Sequence, residues 1–136
     1  MATAKLGLIQ FLTNDTARAS AFYREYLGFE VVPELSSPEG DFILLSSPLD
    51  HSQIALQDAT KQTYGATLDR GGIIVGFVVE DADAVYQDWQ TKPVEILGDV
   101  GDIGVGRMFT AKDPDGNYIQ VYHFYPEFLA MQNQQA

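Results

Sequence analysis

Phe11-Leu12-Thr13-Asn14-Asp15 returns 66 residues later as Phe77-Val78-Val79-Glu80-Asp81, and each copy runs into an amphipathic helical pattern. In the first copy, Asn14 and Asp15 offer side-chain oxygens to the free N–H groups of a helix beginning near Thr16. Ala19, Phe22, Tyr23, Tyr26 and Leu27 then share one helical face, and Gly28 stands where a left-handed residue ends a helix at low cost. In the second copy Ala82, Val85, Tyr86 and Trp89 share a face, and Trp89 corresponds to Tyr23. One supersecondary unit written twice constrains the fold more tightly than any single segment does.

Strands complete each unit. Lys5–Thr13 reads as a strand buried on both faces, followed by the helix and a strand over Phe29–Glu34. Pro33 and the Ser36-Ser37-Pro38-Glu39-Gly40 cluster end that strand in a loop, and Asp41–Ser47 and Gln53–Asp58 form two more strands. Repeat one thus spans 5–58, followed by a polar linker over 59–70. Repeat two, 71–124, has strands over Gly72–Glu80, Val94–Leu97, Arg107–Lys112 and Tyr118–Phe124, with a helix from Asp81 to about Gln90. Gly98–Gly106 reads as a glycine-rich connecting loop, and no helix follows it that could cradle a phosphate. Asp113-Pro114-Asp115-Gly116-Asn117 reads as a tight hairpin turn. In the tail, 125–136, Pro126 opens a short apolar helix over Glu127–Met131. The fold class is α+β, two β-α-β-β-β repeats within a single domain over 1–136.

Eight basic against 19 acidic side chains give a net charge of −11, which repels polyanions and argues against a nucleic-acid partner. The chain has no cysteine, hence no disulfide, thiolate ligand or thiol nucleophile. It has no run of 18 apolar residues to span a membrane, and its first residues lack the layout of a signal peptide. A cytoplasmic location is expected.

Asp15, Phe22-Tyr23, Leu27-Gly28-Phe29, Gly106-Arg107 and Asp113-Pro114-Asp115-Gly116-Asn117 before Tyr118-Ile119-Gln120 together resemble the vicinal oxygen chelate superfamily. That superfamily comprises glyoxalase I, bleomycin-resistance proteins and extradiol dioxygenases. The resemblance runs from Leu6 to Tyr122. It implies two half-barrels around a cup, often completed across a homodimer, and a divalent metal held by His and Glu on the first and last strands of each unit. Transferred by spacing, those four positions are Leu8, Ala55, Ile74 and Gln120. Zinc needs about three thiolate, imidazole or carboxylate ligands, and hard cations need several oxygens. The set offers one amide, so no metal and no cofactor are expected. His51 falls in a hairpin turn. His123 lies three residues past Gln120, on the opposite strand face.

Alternation places Leu8 and Gln10, Gln53 and Ala55, Ile74 and Gly76, and Gln120 and Tyr122 on the cup wall, with Arg107 and Phe109 joining from the neighbouring strand. An apolar, aromatic concavity with a few amides suits a small molecule. The expected function is metal-free binding of a small, partly aromatic ligand by a homodimer. The alternative is a lyase, isomerase or dioxygenase of the same superfamily, using another metal site or metal-free acid–base chemistry.

Overall fold

The computed structural model describes residues 3, 6–64, 66–68 and 73–128. The chain divides into two compact units, Met1–Asp69 and Arg70–Ala136. Among the described residues no helix is long and apolar enough to cross a membrane.

The first unit runs β1 (Ile9–Thr13), α1 (Thr16–Leu27), β2 (Glu30–Val31), β3 (Phe42–Ser46) and β4 (Gln53–Asp58), with a 3-10 turn at Pro33–Leu35 after β2. Its sheet has the order β1-β4-β3-β2, with β1 parallel to β4 and the other pairs antiparallel. Asp15 caps α1 by accepting the Arg18 N–H at 3.0 Å, and Gly28 ends the helix at φ +75. A left-handed φ of that size is open to glycine without a Cβ clash. Tyr23 is fully buried, stacked on Phe11 of β1 at 5.7 Å and met edge-on by Phe22 at 5.1 Å. That contact fixes which face of the sheet α1 covers, namely the one carrying Phe11, Thr13, Ile54, Leu56 and Leu45.

The second unit repeats the plan with β5 (Ile74–Val78), α2 (Ala82–Trp89), β6 (Glu95–Asp102), β7 (Gly106–Lys112) and β8 (Tyr118–Phe124), in the sheet order β5-β8-β7-β6. Asp81 caps α2 through the Ala84 N–H at 3.1 Å. Trp89, the counterpart of Tyr23, is 1% exposed and meets Phe109 of β7 edge-on at 5.4 Å. The two units therefore share topology, capping residue and aromatic anchor. This is the α+β, twice-repeated β-α-β-β-β fold expected from the sequence.

Four local expectations change. The first strand begins at Ile9 and buries alternate residues, with Gln10 exposed, so it is covered on one face rather than two. The second strand keeps only Glu30–Val31, because Pro33 starts a 3-10 turn. Gly98–Gly106 is mostly not a loop: β6 continues to Asp102 through a bulge between Leu97 and Gly101, with Gly98 at φ +79. A bulge absorbs the extra glycines while keeping the strand paired. The expected helix over Glu127–Met131 is a 3-10 turn at Pro126–Phe128 as far as the chain is described, and residues 129–131 lie outside the described residues. Lys5 and Gly72 of the expected strands, and Gly71 at the start of repeat two, also lie outside them.

Candidate functional site: the helix-free sheet faces

Each sheet has one face under its helix and one that the helix leaves uncovered. Registers assign the residues. In the first unit Gln10 pairs with Ala55 and Ala55 with Leu44, and Leu12 pairs with Gln57 and Gln57 with Phe42. These residues alternate with the helix-side set, so Gln10, Gln53 and Ala55 share the helix-free face; Leu8 precedes β1. Ala55 and Leu44 are buried, while Gln10 and Leu8 are exposed.

In the second unit Gly76 pairs with Gln120 and Gln120 with Thr110. Ile74, Tyr118 and Lys112 form the adjoining row on one side, and Val78, Tyr122 and Met108 the row on the other. The face is apolar and open, with Ile74 56% and Tyr118 38% exposed. Gln120 is half-buried at its centre, its amide reaching Thr110 Oγ1 at 3.4 Å. That separation is at the long end for a hydrogen bond, so among the described residues most of the amide's capacity is unspent. Gly76 makes room for the Tyr122 ring: a Cβ at 76 would stand 3.0 Å from Tyr122 Cε1. Lys112 sits 5.5 Å above the Tyr118 ring and 3.7 Å from Glu95.

Seven of the ten site residues read from the sequence thus sit on helix-free faces, Gln10, Gln53 and Ala55 in the first unit and Ile74, Gly76, Gln120 and Tyr122 in the second, while Leu8 lies just ahead of β1, outside the paired register. Arg107 and Phe109 do not sit on these faces. Register pairs them with His123 and Val121, on the side of α2. There Arg107 binds both oxygens of Asp83, at 2.9 and 3.2 Å, and Phe109 packs against Trp89 and Tyr86. Thr110 takes the place on the helix-free face assigned to them. Its position was readable from the turn: Lys112 pairs with Tyr118 across Asp113–Asn117, and counting back from that pair brings 110, not 109, opposite Gln120. Asp113 fixes the turn, accepting the N–H groups of Asp115 and Asn117 at 2.9 and 2.8 Å.

A profile of the Glyoxalase/Bleomycin resistance protein/Dioxygenase superfamily matches residues 5–121. The chain belongs to this superfamily. Among solved structures it is similar to TnmS3, an antibiotic binding protein from Streptomyces sp. CB03234, with TM-score 0.72 and 23% identity over 92% of this chain and 99% of that one. An integron cassette protein from the mobile metagenome of V. cholerae gives TM-score 0.69 and 22% identity, covering 92% and 98% of the two chains. Lactoylglutathione lyase from Agrobacterium tumefaciens gives 0.67 and 17%, covering 90% and 95%. At these identities the likeness is one of fold. No protein of curated function matches the chain in sequence.

The superfamily's metal does not fit the residues at its four transferred positions. Leu8, Ala55, Ile74 and Gln120 supply no imidazole, thiolate or carboxylate, and one neutral amide cannot hold a divalent ion. Potential ligands do gather elsewhere: atoms of Asp81, Asp83 and His123 lie within 4.8 Å of one another on the helix side of the second unit, beside a groove of about 530 Å³. They are already engaged. His123 Nδ1 accepts the Ala82 N–H at 2.8 Å, Asp81 caps Ala84, and Asp83 is gripped by Arg107. Hydrogen bonding to Arg107 is the main reason the Asp83 carboxyl titrates below its ordinary value. The guanidinium also opposes a second cation there. This cluster is a helix-capping and ion-pair network.

Proposed function

We propose that the protein binds a small, partly aromatic molecule on the helix-free sheet faces, without a metal. The observation that carries this reading is Gln120. It replaces a superfamily ligand position with a half-buried amide whose one protein partner among the described residues is 3.4 Å away, on an open apolar face with Tyr118, Tyr122 and Ile74. An apolar surface with few polar groups suits orientation of a small ligand, and Tyr rings supply stacking area. The described antibiotic binding of TnmS3, which has a similar fold, is in keeping with a sequestering role. The net charge of −11 disfavours polyanionic partners. An enzyme using the superfamily's metal would need ligands that the four positions lack.

The same reading takes the chain as a homodimer, in keeping with exposed Leu6, Ile73 and Ile74. Sedimentation at micromolar concentration is expected to show twice 15.0 kDa; a single monomeric species contradicts that part. Metal analysis of protein purified without chelator tests the metal-free part. Less than about 0.1 equivalent of Zn, Ni, Fe or Mn is expected, and stoichiometric metal lost on Gln120→Leu would overturn it.

A further inference from the structure

The sheet of the first unit leaves one flank of α1 uncovered. Between that flank and segment 31–43 lies a groove of about 630 Å³, within the span of roughly 300–1,000 Å³ common to small-molecule sites. Its outer wall is held in place before any ligand arrives. Ser36 Oγ donates to Val32 O at 2.8 Å and accepts the Leu44 N–H at 3.0 Å, and Thr16 Oγ1 ties α1 to Gly40 O at 2.6 Å. Pro33 and Pro38 stiffen the same wall. Ser36 is committed to the backbone, and Ser37 to the Phe42 N–H and the Asp41 carboxylate, so they shape the groove without offering handles.

Arg24 is different. Its Nε donates to Ser20 Oγ at 3.1 Å, and Ser20 is 3% exposed. Among the described residues no acceptor meets the two terminal nitrogens of Arg24, and none of the described groove residues is acidic. In a chain with 19 acidic side chains, an arginine left to face a groove rather than a carboxylate is a vacant anion partner.

The geometry points to a second binding site, which takes an amphipathic carboxylate: the carboxylate on Arg24 and the apolar body against Val31, Pro33 and Ile43. It lies beside α1, away from the helix-free faces, and stands independently of the function proposed for them.

The test titrates 1-naphthoate into the intact protein and follows backbone amides by NMR, with 1-naphthalenemethanol and inorganic phosphate as comparison probes. Saturable shifts at Ala17, Ser20, Arg24 and Gly40 are expected. Arg24→Gln, at an exposed position, is expected to weaken naphthoate about tenfold or more, the size of a lost charged hydrogen bond. Val31→Glu is expected to do the same through the apolar wall. The alcohol is expected to bind at least about tenfold more weakly than the acid. The variants' own spectra report whether they are folded. Unchanged affinity in Arg24→Gln, shifts elsewhere, or no saturation overturns the site. Phosphate acting on the same amides as strongly as naphthoate overturns the amphipathic ligand.

Discussion

His123 Nδ1 on β8 accepts the backbone N–H of Ala82, the first residue of α2, at 2.8 Å. The ring nitrogen that accepts carries no proton, so the neutral imidazole holds its proton on Nε2. A strand side chain thus satisfies one of the free N–H groups at the start of α2, while Asp81 satisfies another.

His123→Leu keeps the bulk and removes the acceptor. It is expected to lower stability by about 1–2 kcal/mol, in the range of a lost cap or an unsatisfied N–H. Chemical denaturation measures the loss, and amide exchange at Ala82 is expected to quicken. An unchanged unfolding midpoint would show that water replaces the imidazole at no cost.

The Asp83–Arg107 pair gives a pH dependence of known sign. Hydrogen bonding to Arg107, the largest cause, lowers the folded-state pKa of Asp83. A depressed folded pKa means that the group contributes stability above its unfolded value, about 3.9, and loses it as pH falls through the folded value. The raised pKa of Arg107 acts only at strongly alkaline pH. Asp83→Asn is therefore expected to lower stability at neutral pH and to flatten the fall in stability below about pH 4. Both side chains are partly exposed, at 30% and 38%, so the effect is expected to be modest. Denaturation midpoints across the acid range check it, and an acid limb as steep as the parent's would contradict it.

Gly106 is buried where β7 meets β8, and a Cβ there would fall on the backbone carbonyl of His123. Backbone cannot swing aside as a side chain can. Gly106→Ala is expected to cost about 3 kcal/mol or more, at the upper end of overpacking. Gly76→Ala meets only the Tyr122 ring at 3.0 Å and is expected to cost less. Thermal unfolding of the two variants compares them, and equal losses would contradict the register at Gly106.

Gln120→Leu probes the helix-free face itself. Its bond to Thr110 is long, so folding is expected to change by less than about 1 kcal/mol. Binding of a ligand whose polar group meets the amide is expected to weaken about tenfold. Fluorescence or calorimetric titration of parent and variant provides the comparison. A variant that unfolds readily would instead make Gln120 a structural residue.

How much of this was legible depended on how local the signal is. Both helices were, because caps and periodicity are written within a few residues: α1 starts at Thr16 and ends before Gly28 as read. Gln53–Asp58 was also recovered, since it is bounded by polar turns. Gly98–Gly101 misled because glycine signals a loop, whereas here it allows a bulge in a strand held by β7. Arg107 and Phe109 fall on the helix side because the hairpin turn, through the Lys112–Tyr118 pair, sets the parity of β7. The His123–Ala82 bond joins residues 41 apart in the chain, so no local pattern could reveal it.

Binding of a small molecule without metal on the helix-free faces, as proposed, is open to a direct test. Amide shift mapping on chelator-treated protein, titrated with a panel of aromatic antibiotics that includes bleomycin, tests it most directly. Saturable shifts at residues such as Gly76, Gln120 and Tyr122 are expected with at least one panel member. Shifts that appear only after a divalent metal is added, or no saturable shift on either sheet, would contradict it.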